Sequence, residues 1–201
     1  MTEVGTRQGD VAAVVLAAGA GLRMGTPKAL VSLGGELLVE RAIRLAASAG
    51  CDPVLVVLGA ESERVLATAS LDGAEPVIAA DWEQGMSASF TAGLSAAQET
   101  RAGAAVLLLV DQPLVSAAAL NRLQTAWRAG AQVAVATYAG RARNPVLFDR
   151  SVWASVVESV TGDIGARPWL QAHPEIVVPV ECADVASAAD VDTPEDLAGL
   201  E

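Results

Sequence analysis

The sequence predicts an α/β domain in three layers, built on a doubly wound, mostly parallel sheet. Three observations carry that expectation. Short continuous apolar runs rich in Val and Leu recur at residues 11–16, 53–58 and 105–110, and strands apolar on both faces belong to parallel sheets covered on either side. Segments with helical spacing stand between these runs, so strand and helix alternate. The chain has 201 residues, 52% of them hydrophobic and 18% charged, which suits one domain over residues 1–201 and excludes a disordered chain.

Taken in order, the first strand covers 11–16 and opens into a glycine-rich loop over 17–28. Leu38, Ala42, Ile43 and Ala46 keep helical spacing, and Gly50 ends that helix. A buried strand over 53–58, a helix over 61–70 and a third strand over 76–79 follow. Phe90 and Leu94, four residues apart, mark a helix over 87–98. The strand over 105–110 runs straight into Asp111-Gln112-Pro113, and Ser116 caps a helix that reaches Trp127 and stops at Gly130. Strands over 133–137 and 146–148, a helix over 152–160, a second helix after Gly162 and a late strand over 176–180 complete the alternation. Thr193-Pro194-Glu195-Asp196 opens a last helix, with Thr as N-cap, Pro at the first helical position and two acids on the positive end of the dipole.

Composition excludes several functions. With 13 Lys+Arg against 24 Asp+Glu the net charge is −11, which argues against a general nucleic-acid or anionic-membrane binder. No uncharged apolar run approaches the ~18 residues of a membrane span. Residues 11–20 are apolar and end in small residues, yet the segment before them carries Glu3 and Asp10 against Arg7 and lacks the basic start of a secretory signal. A cytoplasmic protein is expected. Cys51 and Cys182 are the only cysteines and His173 the only histidine, so no Cys/His zinc site is available. The two thiols are read as small apolar residues, and His173 as a surface or capping residue without a catalytic role.

In doubly wound sheets ligands bind at the carboxyl ends of the strands, near the point where the strand order reverses. Two places meet that rule: the loop after the first strand and the aspartate after the run at 105–110. The loop reads Leu16-Ala17-Ala18-Gly19-Ala20-Gly21-Leu22-Arg23-Met24-Gly25-Thr26-Pro27-Lys28. Glycines let the backbone approach a ligand, free N–H groups can cradle phosphate oxygens, and Arg23 and Lys28 suit a polyphosphate. It is neither a Walker A loop, because Lys28 follows Pro27, nor a dinucleotide fingerprint, because the third glycine comes one residue late. A plain surface turn with solvated cations is the alternative. Asp111 at a strand end suits a hard cation, which takes one or two carboxylates together with substrate phosphates; the alternative is a helix cap or turn residue. Asp190 and Asp192 precede the last helix and could equally serve its N-terminus. Gly85-Met86-Ser87-Ala88-Ser89 opens a helix whose free N–H groups favour anions, or which Ser87 simply caps.

The first loop resembles the signature of nucleotidyltransferases that act on sugar phosphates and molybdopterin, and within them most resembles the molybdenum cofactor cytidylyltransferases. The resemblance continues through Asp81-Trp82-Glu83-Gln84-Gly85-Met86-Ser87-Ala88-Ser89, Val110-Asp111-Gln112-Pro113, Asn144-Pro145-Val146-Leu147-Phe148, Gly162-Asp163-Ile164-Gly165-Ala166-Arg167 and Asp190-Val191-Asp192-Thr193-Pro194-Glu195-Asp196-Leu197, in order over nearly the whole chain. It implies a nucleotide-diphospho-sugar-transferase-like variant of the Rossmann fold, and a Mg²⁺-dependent transfer of CMP from CTP to the phosphate of the molybdenum–molybdopterin cofactor, with release of pyrophosphate. It implies catalytic roles for Arg23, Lys28 and Asp111, and nucleotide contacts from Leu16, Ala17, Ala18, Gly19, Gly21, Arg23, Lys28, Gly85 and Ser89. Asp111 and Asp192 would hold the metal, with Asp190 as the alternative second ligand, and Asn144, Gly162 and Asp163 would face the acceptor. Ala18, where guanylyl members tend to have Gly, favours CTP, its methyl crowding a larger purine. The chain departs from the pattern at Arg143-Asn144-Pro145, where relatives usually carry Gly-His-Pro, and at Val110, where they often have Gly. Two other readings stand beside this one: the same chemistry with another triphosphate or acceptor, guanylyl or sugar-phosphate, and a nucleotide- or molybdopterin-binding accessory protein without turnover. A transient contact with a molybdoenzyme or its maturation factor would follow from the first or the last.

Overall fold

The computed structural model describes residues 9–200; Glu3 and Arg7, on which the reading of the first segment rests, lie outside them. Strands β1 (Val11–Leu16), β4 (Val54–Leu58), β5 (Glu75–Ile78) and β6 (Ala104–Leu109) pair in parallel. They are joined by β7 (Val133–Tyr138), β8 (Arg141–Asp149) and β9 (Val177–Glu181) in one seven-stranded sheet of order β5-β4-β1-β6-β8-β7-β9. Only β8 runs against its neighbours, so the sheet is mostly parallel, as the apolar runs predict. A short hairpin, β2 (Ser32–Leu33) with β3 (Glu36–Leu37), stands apart from it. The chain moves from β1 outward to β4 and β5 and then returns to β6 on β1's other side. The strand order therefore reverses between β1 and β6.

Alternation along each strand splits the core in two. Val11, Ala13 and Val15 of β1, with Val106 and Leu108 of β6, pack against α1 (Leu38–Ser48), α2 (Ser62–Thr68) and α4 (Ala117–Arg128). Ala12, Val14 and Leu16, with Ala105 and Leu107, pack against α3 (Met86–Gln98), α5 (Trp153–Ser159) and α6 (Arg167–Ala172) on the other face. A last helix, α7 (Pro194–Ala198), is capped by Thr193, whose side chain accepts from the Asp196 N–H while the Asp196 carboxylate reaches back, the reciprocal box its sequence predicts.

Besides the β2–β3 hairpin, which no expected element covers, two elements differ from expectation. β8 begins at Arg141, five residues ahead of the expected strand. Its pairing with β7 steps from Val135↔Val146 to Thr137↔Ala142, so four steps on β8 face two on β7. That bulge lifts Arg143-Asn144-Pro145 out of the ladder at the carboxyl end of the sheet, and an exposed polar run interrupted by Pro carries no strand periodicity. The second difference is α3, which starts at Met86 with Gly85 as its N-cap and without a side-chain cap of its own; Ser87 lies inside the helix. Both cysteines are free and buried, and among the described residues no helix is long and apolar enough to cross a membrane.

Candidate active site

β1 and β6 lie side by side in register, so the segments leaving their carboxyl ends start from adjacent points. Leu16, Ala17 and Ala18 are buried and committed through their backbones: Ala17 N–H donates to Val57, Val110 N–H to the Leu16 carbonyl, and Ala60 N–H to the Ala18 carbonyl. The Ala18 methyl is 4% exposed and, with Trp82, closes over Gly59, where a Cβ would stand 2.5 Å from the Trp82 Cβ and 2.9 Å from that of Ala18. From Gly19 the chain is open to solvent. Gly21 takes φ +61°, and a Cβ there would stand 2.0 Å from the Thr26 carbonyl oxygen. Only glycine permits this tight turn, which brings the chain back to the buried Pro27 and the half-buried Lys28.

Lys28 begins a single turn of 3-10 helix, 28–30, and its ammonium lies between two carboxylates. Its Nζ donates to Asp111 Oδ2 at 2.6 Å and to Asp192 Oδ1. Arg23 Nη2 stands 2.9 Å from the other oxygen of Asp192. The side chains of Lys28 and Asp111 are 18% and 20% exposed, that of Arg23 68%. Four residues from three parts of the chain thus form a quartet balanced in charge. The hydrogen bond from Lys28, acting against burial and joined by the charges of Lys28 and Arg23, holds the Asp192 carboxyl below its ordinary range. Burial alone would lower the Lys28 ammonium, but the hydrogen bonds and charges of Asp111 and Asp192 outweigh it and hold it above its ordinary value.

The three aspartates separate clearly. Asp111 does not cap α4, whose N-cap is Ser116. Asp192 uses its carboxylate on Lys28 and Arg23, while its backbone N–H donates to Asp196. Asp190 instead accepts from Gln112 Nε2 at 2.8 Å. Neither carboxylate serves the start of α7, so that alternative falls away. Asp111 and Asp192 converge on a cation already present, the ammonium, and present oxygen donors only. This donor set fits a hard divalent ion that takes its other ligands from phosphates; among the described residues no group of three or more His, Cys, Asp or Glu side chains could hold a metal by itself.

A second cluster forms at the start of α3. Gly85 has φ +103°, and a Cβ there would come 2.4 Å from Asp163 Oδ1 and 2.8 Å from the Gly162 carbonyl carbon. Met86 N–H donates to Asp163 Oδ1 at 3.1 Å and Ser87 N–H to the Gly162 carbonyl at 2.8 Å. Two of the N–H groups expected to be free are therefore taken by the 162–163 loop, and Gly85, Gly162 and Asp163 form one unit. Ser89 is buried on α3, and Asn144 is half-buried in the bulge of β8. Among the described residues no hydrogen bond ties these five residues to the Lys28 quartet. His173 stacks on Trp169 and meets its carbonyl at 2.9 Å, which agrees with a role in packing. Sequence reading missed Gln112 as a link between loops; its signal was a polar residue between Asp111 and Pro113 in an otherwise buried run.

A mostly parallel α/β fold with cations and carboxylates gathered at its switch point defines a class, and comparison with known proteins agrees. Residues 13–177 match the MobA-like NTP transferase domain family; the chain belongs to that family and is a nucleotidyltransferase. It is 37% identical over 195 residues to nicotine blue oxidoreductase of Paenarthrobacter nicotinovorans, covering 93% of this chain and 94% of that one. It is 36% identical over 120 residues to a probable molybdenum cofactor guanylyltransferase of Opitutus terrae, covering 60% of this chain and 57% of that one. Among solved structures, Rv0371c of Mycobacterium tuberculosis superimposes with a TM-score of 0.83 at 32% identity, covering 96% and 98% of the two chains, and a further structure of it is a complex with manganese.

Proposed function

We propose that the chain transfers a CMP group from CTP to the phosphate of the molybdenum–molybdopterin cofactor. The observation that carries this reading is the convergence of Arg23, Lys28, Asp111 and Asp192 where β1 and β6 end. An oxygen of the acceptor phosphate forms a bond to the α-phosphorus of CTP, the bond from that phosphorus to the α–β bridging oxygen breaks, and pyrophosphate leaves. The attacking oxygen is already anionic, so no general base is needed. The 19–28 loop holds the triphosphate, with Arg23 and Lys28 turning from the carboxylates to phosphate oxygens. Asp111 and Asp192 would hold Mg²⁺ or Mn²⁺, which supplies charge neutralisation on the phosphates. Gly85 and Ser89 line the nucleoside side, and Asn144, Gly162 and Asp163 the acceptor side. The preference for CTP rests on the resemblance of the 16–19 segment, since the Ala18 methyl is buried beside Gly59 and Trp82. A relative named as a molybdenum cofactor guanylyltransferase supports the acceptor and makes GTP the competing donor.

The test is a thermal-shift series with CTP, GTP, ATP and UTP, each with and without Mg²⁺ or Mn²⁺. A ligand bound only to the native state at about 100 times its Kd adds roughly 2.7 kcal/mol. The largest cation-dependent shift should come with CTP; the largest with GTP would move the reading to guanylyl transfer. A second reading, a redox function, is favoured by the near full-length similarity to nicotine blue oxidoreductase. A shift with NADH or NADPH and none with any triphosphate would support it instead. Binding of a triphosphate without pyrophosphate release would favour the accessory-protein reading.

A further inference from the structure

We infer that Gln112 is a positioning residue whose amide clamps Asp190 and thereby sets Asp192 opposite Asp111. The inference rests on the reading of Asp111 and Asp192 as the carboxylates of a divalent-cation site. Nothing local brings those two residues together, since they are 81 positions apart and α4, β7, β8, β9, α5 and α6 lie between them. The segment before α7 must be tied to the segment after β6, and three bonds do this. Val191 N–H donates to the Asp111 carbonyl at 2.8 Å, Ser187 N–H to the Leu114 carbonyl at 3.2 Å, and Gln112 Nε2 to Asp190 Oδ1 at 2.8 Å.

The two backbone bonds fix the spacing of the segments. Only the third bond holds a side chain, and it does so directly beside the site, since Gln112 follows Asp111 and Asp190 stands two residues before Asp192. Val191 between them is fully buried, so the strap is anchored in the core at its centre, by Gln112 on one side and by Lys28 and Arg23 on the other. Gln112 is 6% exposed, and its Oε1 is buried with no partner. The amide is thus oriented by Asp190 alone: turned over, it would set oxygen against carboxylate. Burying an amide with half its capacity unused is unfavourable, and the donor to Asp190 is what this residue provides there. The clamp also explains why Asp190, acidic and adjacent, is spent on structure and Asp192 is left for the cation.

Manganese(II) titrated in the presence of CTP, with free ion followed by electron paramagnetic resonance, tests this without recourse to turnover. Gln112→Met keeps the volume and removes the donor; Asp190→Ala removes the acceptor and a charge; Asp190→Asn removes the charge and keeps the acceptor. Expected is at least a tenfold loss of manganese affinity in Q112M and in D190A. D190N should stay within threefold of the wild type, and the double variant Q112M/D190A should be no weaker than either single one, because both break the same bond. An unchanged Q112M, a D190N as weak as D190A, or losses that add in the double variant would overturn the inference. Native thermal midpoints identify any variant that fails to fold, and D190N keeps the test open if Q112M does. Wild-type protein that takes up no manganese with any triphosphate would overturn the underlying cation reading, and the inference with it.

Discussion

Lys28 lies between Asp111 and Asp192, where the proposed divalent cation would bind, and its replacement by Met separates two roles. Met keeps the aliphatic stem and removes the charge. In the wild type a divalent ion meets an ammonium already bound to both carboxylates. Two unit charges 4 Å apart interact with about 4 kcal/mol at an effective dielectric near 20, so the ammonium must withdraw and break two hydrogen bonds before the ion can enter. Both obstacles vanish in K28M. Allowing for screening at a site 18–30% exposed, about 1.4 kcal/mol or more should remain, roughly a tenfold tighter manganese affinity without nucleotide. With nucleotide and acceptor the sign reverses: turnover should fall by about 10²–10³, the usual effect of removing one preorganised charge contact. Manganese titration of the nucleotide-free protein, with product formation measured in parallel, reads both quantities. A folded K28M that binds manganese no better than the wild type would refute the reasoning.

Other consequences follow from the same contacts. Gly21→Ala places a Cβ 2.0 Å from the Thr26 carbonyl at φ +61°; the loop must rearrange, so nucleotide affinity measured by calorimetry should fall at least tenfold while the circular dichroism spectrum is kept. Asp163→Ala removes the acceptor for Met86 N–H and should cost about 0.5–2 kcal/mol in denaturant unfolding, as the loss of an ordinary helix cap does. Burial pushes the Cys51 thiol from its ordinary 9.0 up to about 12, so iodoacetamide at pH 8 should label Cys51 in the unfolded chain but not in the native one. The sign for stability follows: above pH 9 the unfolded thiol ionises and the native one does not, so stability is full below pH 9 and declines as pH rises toward 12.

The sequence revealed the fold through its interior. Val11–Leu16 and the runs at 54–58 and 104–109 are apolar on both faces because helices cover both, and that pattern pointed to a parallel sheet, whereas the strand order and its reversal between β1 and β6 are set by pairings between distant segments. The N-cap of α7 was legible for a local reason, since Thr193, Pro194 and Asp196 satisfy each other within one turn. What escaped was decided by partners far away in the chain. The start of β8 is exposed and bulged, so periodicity is silent there. Helix α3 is capped by Gly162 and Asp163, 76 and 77 residues after its first residue Met86. The candidate site divides the same way: Arg23, Lys28 and Asp111 could be named from residue type and place and Asp192 from the resemblance, but their mutual neutralisation could not. The choice between Asp190 and Asp192 depends on a buried amide at position 112, whose partner no local pattern reveals.

Pyrophosphate release tests the proposed chemistry most directly. Wild-type protein would be given the molybdenum–molybdopterin cofactor, Mg²⁺ or Mn²⁺, and CTP or GTP, with the product identified by mass. Expected is one pyrophosphate for each cytosine dinucleotide formed, faster with CTP than with GTP, and a loss of about 10²–10³ in D111N and D192N. No pyrophosphate from any triphosphate, or release undiminished in both variants, would contradict it.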